Sequence, residues 1–256
     1  MWRLVGKFVT GSLLRSLGRL ALWGVNVLEG NVNATDLPQL RGRPMVTDGG
    51  METDLIFHHG ADLPLFAAFP LIDSPGGRSL LTDYYDEYAA IARRAGAGLM
   101  LESATWRADI ISAYTLTSIG EATGIVRAAG SAGVPVAISF TAETDGRLPG
   151  GESLAEAITR VDAAASPAYF QVNCLHPVHV AAALAEPGSW RKRIYGVRYN
   201  ASTRSHAELD EAADLDEGDI GLLAGRHRQL AGDLPALAIV GGCCGTDARH
   251  VEALWN

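Results

Sequence analysis

Cysteine is scarce in this 256-residue sequence, which has three: Cys174, Cys243 and Cys244. An odd count with two adjacent members excludes a disulfide framework, because neighbouring cysteines cannot bridge each other without strain. A reducing compartment fits better than a secretory one, so a cytoplasmic protein is expected. Positive charge is also in short supply. Lys and Arg number 21 against 29 Asp and Glu, a net charge of -8. That balance excludes a broad surface for nucleic-acid phosphates and leaves the surplus acid to favour solubility. No apolar run reaches the roughly 18–20 residues of a membrane-spanning helix. No glycine-rich dinucleotide fingerprint is present, and there is neither a low-complexity tract nor a repeat longer than one strand–helix unit.

What is present is apolar and rich in glycine. Hydrophobic residues make up 48% of the chain and glycine occurs 29 times, which suits close helix–strand packing and many tight turns. The length matches the about 250 residues of one α/β barrel. Residues 1–28 stand apart. Arg3, Lys7, Arg15 and Arg19 alternate with Leu4, Phe8, Leu13, Leu14, Leu17, Leu20 and Leu22, and no acid precedes Glu29. This pattern reads as a basic amphipathic helix. An organellar transit peptide, a membrane-surface helix and a non-native leader are the three readings, the last being preferred. Residues 31–42 are polar and turn-rich. The chain therefore divides into a leader and linker, 1–42, and one barrel domain, 43–256.

Within that domain short apolar runs alternate with helical spacing. Strands are expected at 44–47, 98–102, 110–114, 134–140, 168–173, 194–199 and 236–240. Helices are expected at 78–95, 119–129, 153–164, 179–185 and 218–231, and a last one opens at Thr246 or Asp247 and is cut short at Asn256. Ser153, ahead of Leu154 and Glu156, is a suitable N-cap. Alternation of this kind implies a parallel sheet. The fold class is α/β, a (β/α)8 TIM-type barrel that is incomplete. About seven strands are visible, with one βα unit and the last helix missing. The polar and cysteine-bearing segments all follow strands, and those positions share the rim where barrel active sites sit.

Cys174 follows the apolar run YFQVN, and Cys243 with Cys244 follows LAIVGG. Taken singly, each cysteine reads as a small buried hydrophobe. Together, at the ends of two strands of one barrel, they can converge. Three thiolates leave one position of a zinc ion open, as in a catalytic rather than a structural site. Gly242 and Gly245 permit the tight turn that would aim an adjacent pair at one ion. The open position suits a substrate thiol, which zinc holds deprotonated near neutral pH. Three anionic sulfurs favour thiolate alkylation over water activation. His176 and His179 read as neighbours of the site or surface residues rather than as ligands.

Four segments, TDGGMETDL (47–55), LESATWRAD (101–109), VNCLHP (172–177) and GGCCGTDARHVEAL (241–254), resemble the successive motifs of the homocysteine S-methyltransferase family. The resemblance runs from Pro44 to Leu254, and its most specific part is the GGCCGT block with the upstream Asn173-Cys174. It implies a barrel in which Cys174, Cys243 and Cys244 bind Zn2+ with homocysteine as the fourth ligand. It also implies that Asp48, Gly49 and Gly50 help to hold the amino-acid part of the substrate, and that Glu102 and Thr105 line the pocket. Asp48 alternatively serves as a plain turn residue, Glu102 as an ion-pair partner of Arg107 or Arg198, and Asn173 as a support for Cys174, a substrate contact or a structural turn residue.

Two departures from the family pattern stand out. Tyr114-Thr115 occupies the place near the fourth strand where the family usually has a glutamate, so Tyr114 is taken as a substrate contact. Residues 107–115 pass directly from the second-strand motif to the fourth strand. The expected function is a zinc-dependent thiol S-methyltransferase, carrying a methyl group from a sulfonium or betaine-type donor to homocysteine to give methionine. The alternative is a degenerate family member that binds zinc or a thiol without turnover. The partners are then a small thiol and a methyl donor, without nucleic acid; homo-oligomerisation stays open.

Overall fold

The computed structural model describes residues 37–101 and 110–256. The basic leader, Glu102, Thr105, Trp106 and Arg107 lie outside these residues. Among the described residues seven strands form one sheet: β1 (Met45–Thr47), β2 (Gly98–Met100), β3 (Ile111–Leu116), β4 (Val136–Phe140), β5 (Tyr169–Leu175), β6 (Ile194–Tyr199) and β7 (Ile239–Gly242). Among the same described residues eight helices accompany them: α1 (Met51–Phe57), α2 (Pro75–Ala95), α3 (Ile119–Ala132), α4 (Leu154–Ala164), α5 (Pro177–Ala183), α6 (His206–Asp210), α7 (Ile220–Ala231) and α8 (Ala248–Trp255). The last helix, expected to be cut short, is present over eight residues, with the Trp255 indole donating to the Val240 carbonyl. Helices α1 and α6 were not expected from the sequence.

Every pairing is parallel and the order is β2-β1-β7-β6-β5-β4-β3. That is the order of a closed eight-stranded barrel from which the strand between β2 and β3 has been removed. Among the described residues β2 and β3 each pair on one side only. The sheet is therefore a curled, open barrel, as the jump at residues 107–115 implies.

Strand alternation sorts the side chains into two sets. Val136, Ile138 and Phe140 of β4 face the helices in one large cluster with Phe170 and Val172 of β5 and Val197 and Tyr199 of β6. Ala137, Tyr169, Met45 and Ile239 form a separate cluster with Leu37. Met45 and Ala137 belong to strands separated by three others, so their contact through this cluster records the curl of the sheet. The short 3-10 turn Pro38–Arg41 seats Leu37 and Gln39 beneath it, with Gln39 donating to the Tyr169 hydroxyl at 3.2 Å. Above this apolar layer the same inward positions become polar or absent: Ser139, Gln171, Asn173, Gly196, Arg198 and Gly241. A barrel interior that turns polar toward its C-terminal end is prepared for chemistry there.

Caps fix the helix starts. Ser153 accepts from the Glu156 backbone while the Glu156 side chain accepts from the Ser153 backbone, the reciprocal pairing that a serine three residues ahead of a glutamate allows. Asp247 caps α8 directly after the paired cysteines, tying that turn to a helix packed on β7.

Candidate metal centre

Strand β5 breaks its own regularity to present Cys174. Cys174 has φ +56°, in the left-handed region that non-glycine residues rarely visit, and the register with β6 shifts between Asn173 and Leu175. Thr115 on β3 does the same at φ +59°, beside a register shift between Ala113 and Leu116. Bulges of this kind re-aim side chains and gather near active sites. One side chain holds both. The Asn173 amide oxygen accepts from the Thr115 backbone N–H at 3.0 Å and from the Ser139 hydroxyl at 2.6 Å. Its nitrogen donates to Thr115 Oγ1 at 2.8 Å and to Cys174 Sγ at 3.2 Å. His206, which the sequence reading did not single out, donates from Nε2 to the Cys174 carbonyl at 2.8 Å.

The adjacent cysteines sit in a turn held from both sides. Cys243 N–H donates to the Tyr199 carbonyl at 2.7 Å, and the Cys244 carbonyl accepts from Ala201 at 3.1 Å, both at the end of β6. Thr246 closes the turn on the Cys243 carbonyl through its hydroxyl, at 2.6 Å. Gly245 takes φ +74°, the conformation for which glycine was expected. A Cβ on Gly242 would fall 2.0 Å from Thr246 Oγ1, so close packing, rather than an unusual backbone conformation, calls for glycine there.

The Asp48-Gly49-Gly50 turn is stapled to this turn. Gly50 N–H donates to the Thr246 carbonyl at 2.9 Å and Gly242 N–H to the Asp48 carbonyl at 3.0 Å. A Cβ on Gly50 would meet the Cys243 carbonyl at 2.6 Å. The Gly50 amide is thus engaged inside the protein. The Asp48 carboxylate is 1% exposed and lies 3.1 Å from the Arg198 guanidinium. Tyr114, half-buried within β3, lies with its ring 5.3 Å from the same guanidinium.

The sulfurs of Cys174, Cys243 and Cys244 all lie within 4.8 Å of one another, although 69 residues separate the first two in sequence. A tetrahedral zinc ion with bonds of about 2.3 Å sets its sulfurs about 3.8 Å apart, so the donor set fits such an ion in type and spacing. Cys174 is buried and Cys244 exposed, so the cluster has an inner side and an open one. The electrostatics fit as well. Thiol donation from Cys243 and Cys244, with help from Asn173 and Thr115, holds the Cys174 thiol well below its ordinary pKa. The Cys243 proton, shared with Cys174, is held up to about 12, and Cys244 is raised in the same way. Three sulfurs this close lack a positive charge between them, which a cation supplies.

A second group, His58, Glu217 and Asp247, is already committed. His58 bridges Asp54 at 2.6 Å and Glu217 at 2.5 Å, while Arg249 neutralises Glu217 and Asp247. It fastens the 211–218 loop to α1 and α8. His176 is buried and accepts from Val178 N–H as the N-cap of α5, and His179 donates to the Thr203 carbonyl at 2.9 Å. Neither faces the sulfurs as part of the cluster.

Asn173→Ala leaves Cys174 in its unfavourable backbone conformation without the amide that holds it. Metal affinity is expected to fall about 10- to 100-fold, as when an outer partner of a metal ligand is removed. Competition titration against a chromophoric chelator would read the loss, and affinity within a factor of about two of the wild type would contradict the role given to Asn173.

A family model for homocysteine S-methyltransferase matches residues 74–256. Among solved structures, the homocysteine methyltransferase MmuM from Escherichia coli in its metallated form is similar at 15% identity and TM-score 0.60, over 87% of this chain and 99% of that one. Its apo form is similar at 17% identity and TM-score 0.58, over 87% and 98%. At such identities the likeness is one of fold. No curated protein sequence gives a match. Among the described residues no helix is long and apolar enough to cross a membrane.

Proposed function

Because this chain belongs to the homocysteine S-methyltransferase family and is therefore a methyltransferase enzyme, we propose that it methylates the thiol of homocysteine at a zinc site formed by Cys174, Cys243 and Cys244. The observation that carries this reading is the convergence of three sulfurs from two strand ends within 4.8 Å. A zinc ion held there would supply the Lewis acidity that keeps an incoming thiol deprotonated near neutral pH.

The chain's own groups do the rest. Asn173 steadies Cys174 through its amide, and the β6 end steadies the paired cysteines through Tyr199 and Ala201. Cys244 is the exposed residue of the three, with its sulfur turned into the cluster, and the acceptor enters past it. Asp48 and Gly50 hold the cysteine turn through the Asp48 carbonyl and the Gly50 amide, and Asp48, Gly49 and Gly50 keep their proposed place beside the amino-acid part of the substrate. Tyr114 keeps its proposed place as a substrate contact. The acceptor sulfur forms a new bond to the methyl carbon while the donor's S–C or N–C bond breaks. The donor, a sulfonium or a betaine-type quaternary ammonium, leaves as a neutral thioether or amine, and methionine results. No covalent bond to the protein is needed.

The test is metal analysis of the purified chain together with methionine formation from homocysteine, using S-methylmethionine, S-adenosylmethionine and betaine in turn. About one zinc per chain, the content of a three-cysteine site, and turnover with at least one donor are expected. Bound zinc without turnover from any of the three would sink the catalytic reading. It would support instead an inactive relative that binds zinc or a thiol, a reading the open edge between β2 and β3 favours.

A further inference from the structure

Among the described residues the barrel interior carries one guanidinium where an apolar or small side chain would satisfy the sheet. Arg198 lies on β6 with Asn173 of β5 as its register partner on one side and Gly241 of β7 on the other. It thus sits midway between the two strands that deliver the sulfurs, and it is 4% exposed. Its Nε donates to the carbonyl of Gly242 at 2.9 Å, the residue immediately before Cys243. Its terminal nitrogen reaches the Gly49 carbonyl at 3.2 Å, the Asp48 carbonyl at 3.4 Å and the Asp48 carboxylate at 3.1 Å. The Tyr114 ring lies 5.3 Å from the guanidinium. The ends of β1, β3 and β7 are therefore joined through one side chain anchored on β6.

Stability alone is a poor reason for this arrangement. A buried ion pair is often no more stable than apolar groups of the same shape. What the guanidinium offers, and an apolar residue cannot, is several donors in a rigid plane. Those donors meet strand-end carbonyls, including one a single peptide bond from a sulfur-bearing residue.

We propose that Arg198 is the positioning residue of the sulfur cluster: its fan of hydrogen bonds fixes the Cys243–Cys244 turn relative to Cys174. It acts on the geometry of the site through its bonds to the carbonyls of Gly242 and Gly49. This inference rests on the metal-site reading given above, and it goes further by assigning the preorganisation of that site to one residue.

Cobalt(II) is a suitable probe, because its thiolate charge-transfer band reports how many sulfurs bind and in what geometry. Three variants are compared with the wild type: Arg198→Met, Arg198→Lys and the double change Arg198→Met with Asp48→Asn. The double variant contains neither member of the buried charge pair, so it keeps no uncompensated charge, and far-UV circular dichroism verifies its fold. Cobalt affinity about 10- to 100-fold below wild type, the range found when an outer partner of a metal ligand is removed, is expected in the double variant. A weaker charge-transfer band should accompany it. Arg198→Lys, which keeps the charge but not the planar fork, should recover only part of the loss. Wild-type affinity and spectrum in the folded double variant would overturn the proposal, because Arg198 would then serve only to neutralise Asp48. Full recovery in Arg198→Lys would overturn it too, since charge without the fan would suffice. If the wild-type chain itself takes up no cobalt, the metal-site reading fails instead.

Discussion

Cys174→Ala is expected to strip the chain of its metal and to abolish methyl transfer. Thiolate-rich zinc sites bind with about 10–16 kcal/mol. One sulfur of three, with an incoming ligand as the fourth, accounts for about 3–4 kcal/mol of that total. At 1.4 kcal/mol per factor of ten, affinity falls by about 10^2- to 10^3-fold. Cys174 is the sulfur to remove first. It is the inner member of the cluster and the one whose thiolate form is supported by Asn173, Thr115 and both other thiols. Elemental analysis after dialysis, paired with an assay for methionine, gives the outcome directly. Metal content unchanged from the wild type would mean that the cluster of sulfurs is not the site. Because Cys174 is held in a left-handed conformation, the variant's unfolding midpoint should be measured alongside, so that loss of metal is not confused with loss of fold.

Asp48→Ala should be the most destabilising single change at this rim. The carboxylate is buried against a buried guanidinium, and taking away one partner of such a pair costs about 3–5 kcal/mol. Domains of ordinary stability hold about 5–15 kcal/mol in all, so the variant would lose a large fraction of its margin. Urea denaturation followed by circular dichroism would show a lowered midpoint. Asp48→Asn, which keeps the shape and an acceptor oxygen, should cost less. A shift below about 1 kcal/mol for Asp48→Ala would place Asp48 among solvated turn residues, contrary to its burial. The consequences should spread locally as well. Tyr84 and Tyr88 pack beneath the same turn, and burial together with the Asp48 charge holds both hydroxyls above their ordinary pKa.

Much of this architecture can be read from the linear chain because parallel strands announce themselves as short apolar runs between helical periods. The cysteines stood at the ends of two such runs, and that placement carries the whole site. The missing strand was legible for a similar reason: the second-strand motif runs into the fourth strand with too few residues between. What could not be read is which groups face one another across the interior. Asp48 and Arg198 are separated by 150 residues, and nothing local to either specifies the other. The sequence pattern offers Arg198 only as a partner for Glu102. A lone charge in the otherwise uncharged strand IYGVRY (194–199) is the available signal. Backbone departures were equally hidden. Cys174 was expected just after its strand. It lies within β5, because a left-handed residue lets the chain resume pairing at Leu175. His206 and α6 belong to a polar loop with little periodicity, so only the folded chain brings that imidazole to the Cys174 carbonyl.

A ring with one stave removed has two loose rims, and everything depends on where the break falls. Here it falls beside β2 and β3, the outermost members of the series, while β1, β7, β6 and β5 run side by side with a ladder on each flank. Fraying would begin at the rims and reach the sulfur-bearing strands last. The site thus draws on both kinds of strand: its sulfurs come from well-flanked ones, while Thr115 and Tyr114 reach it from the rim strand β3.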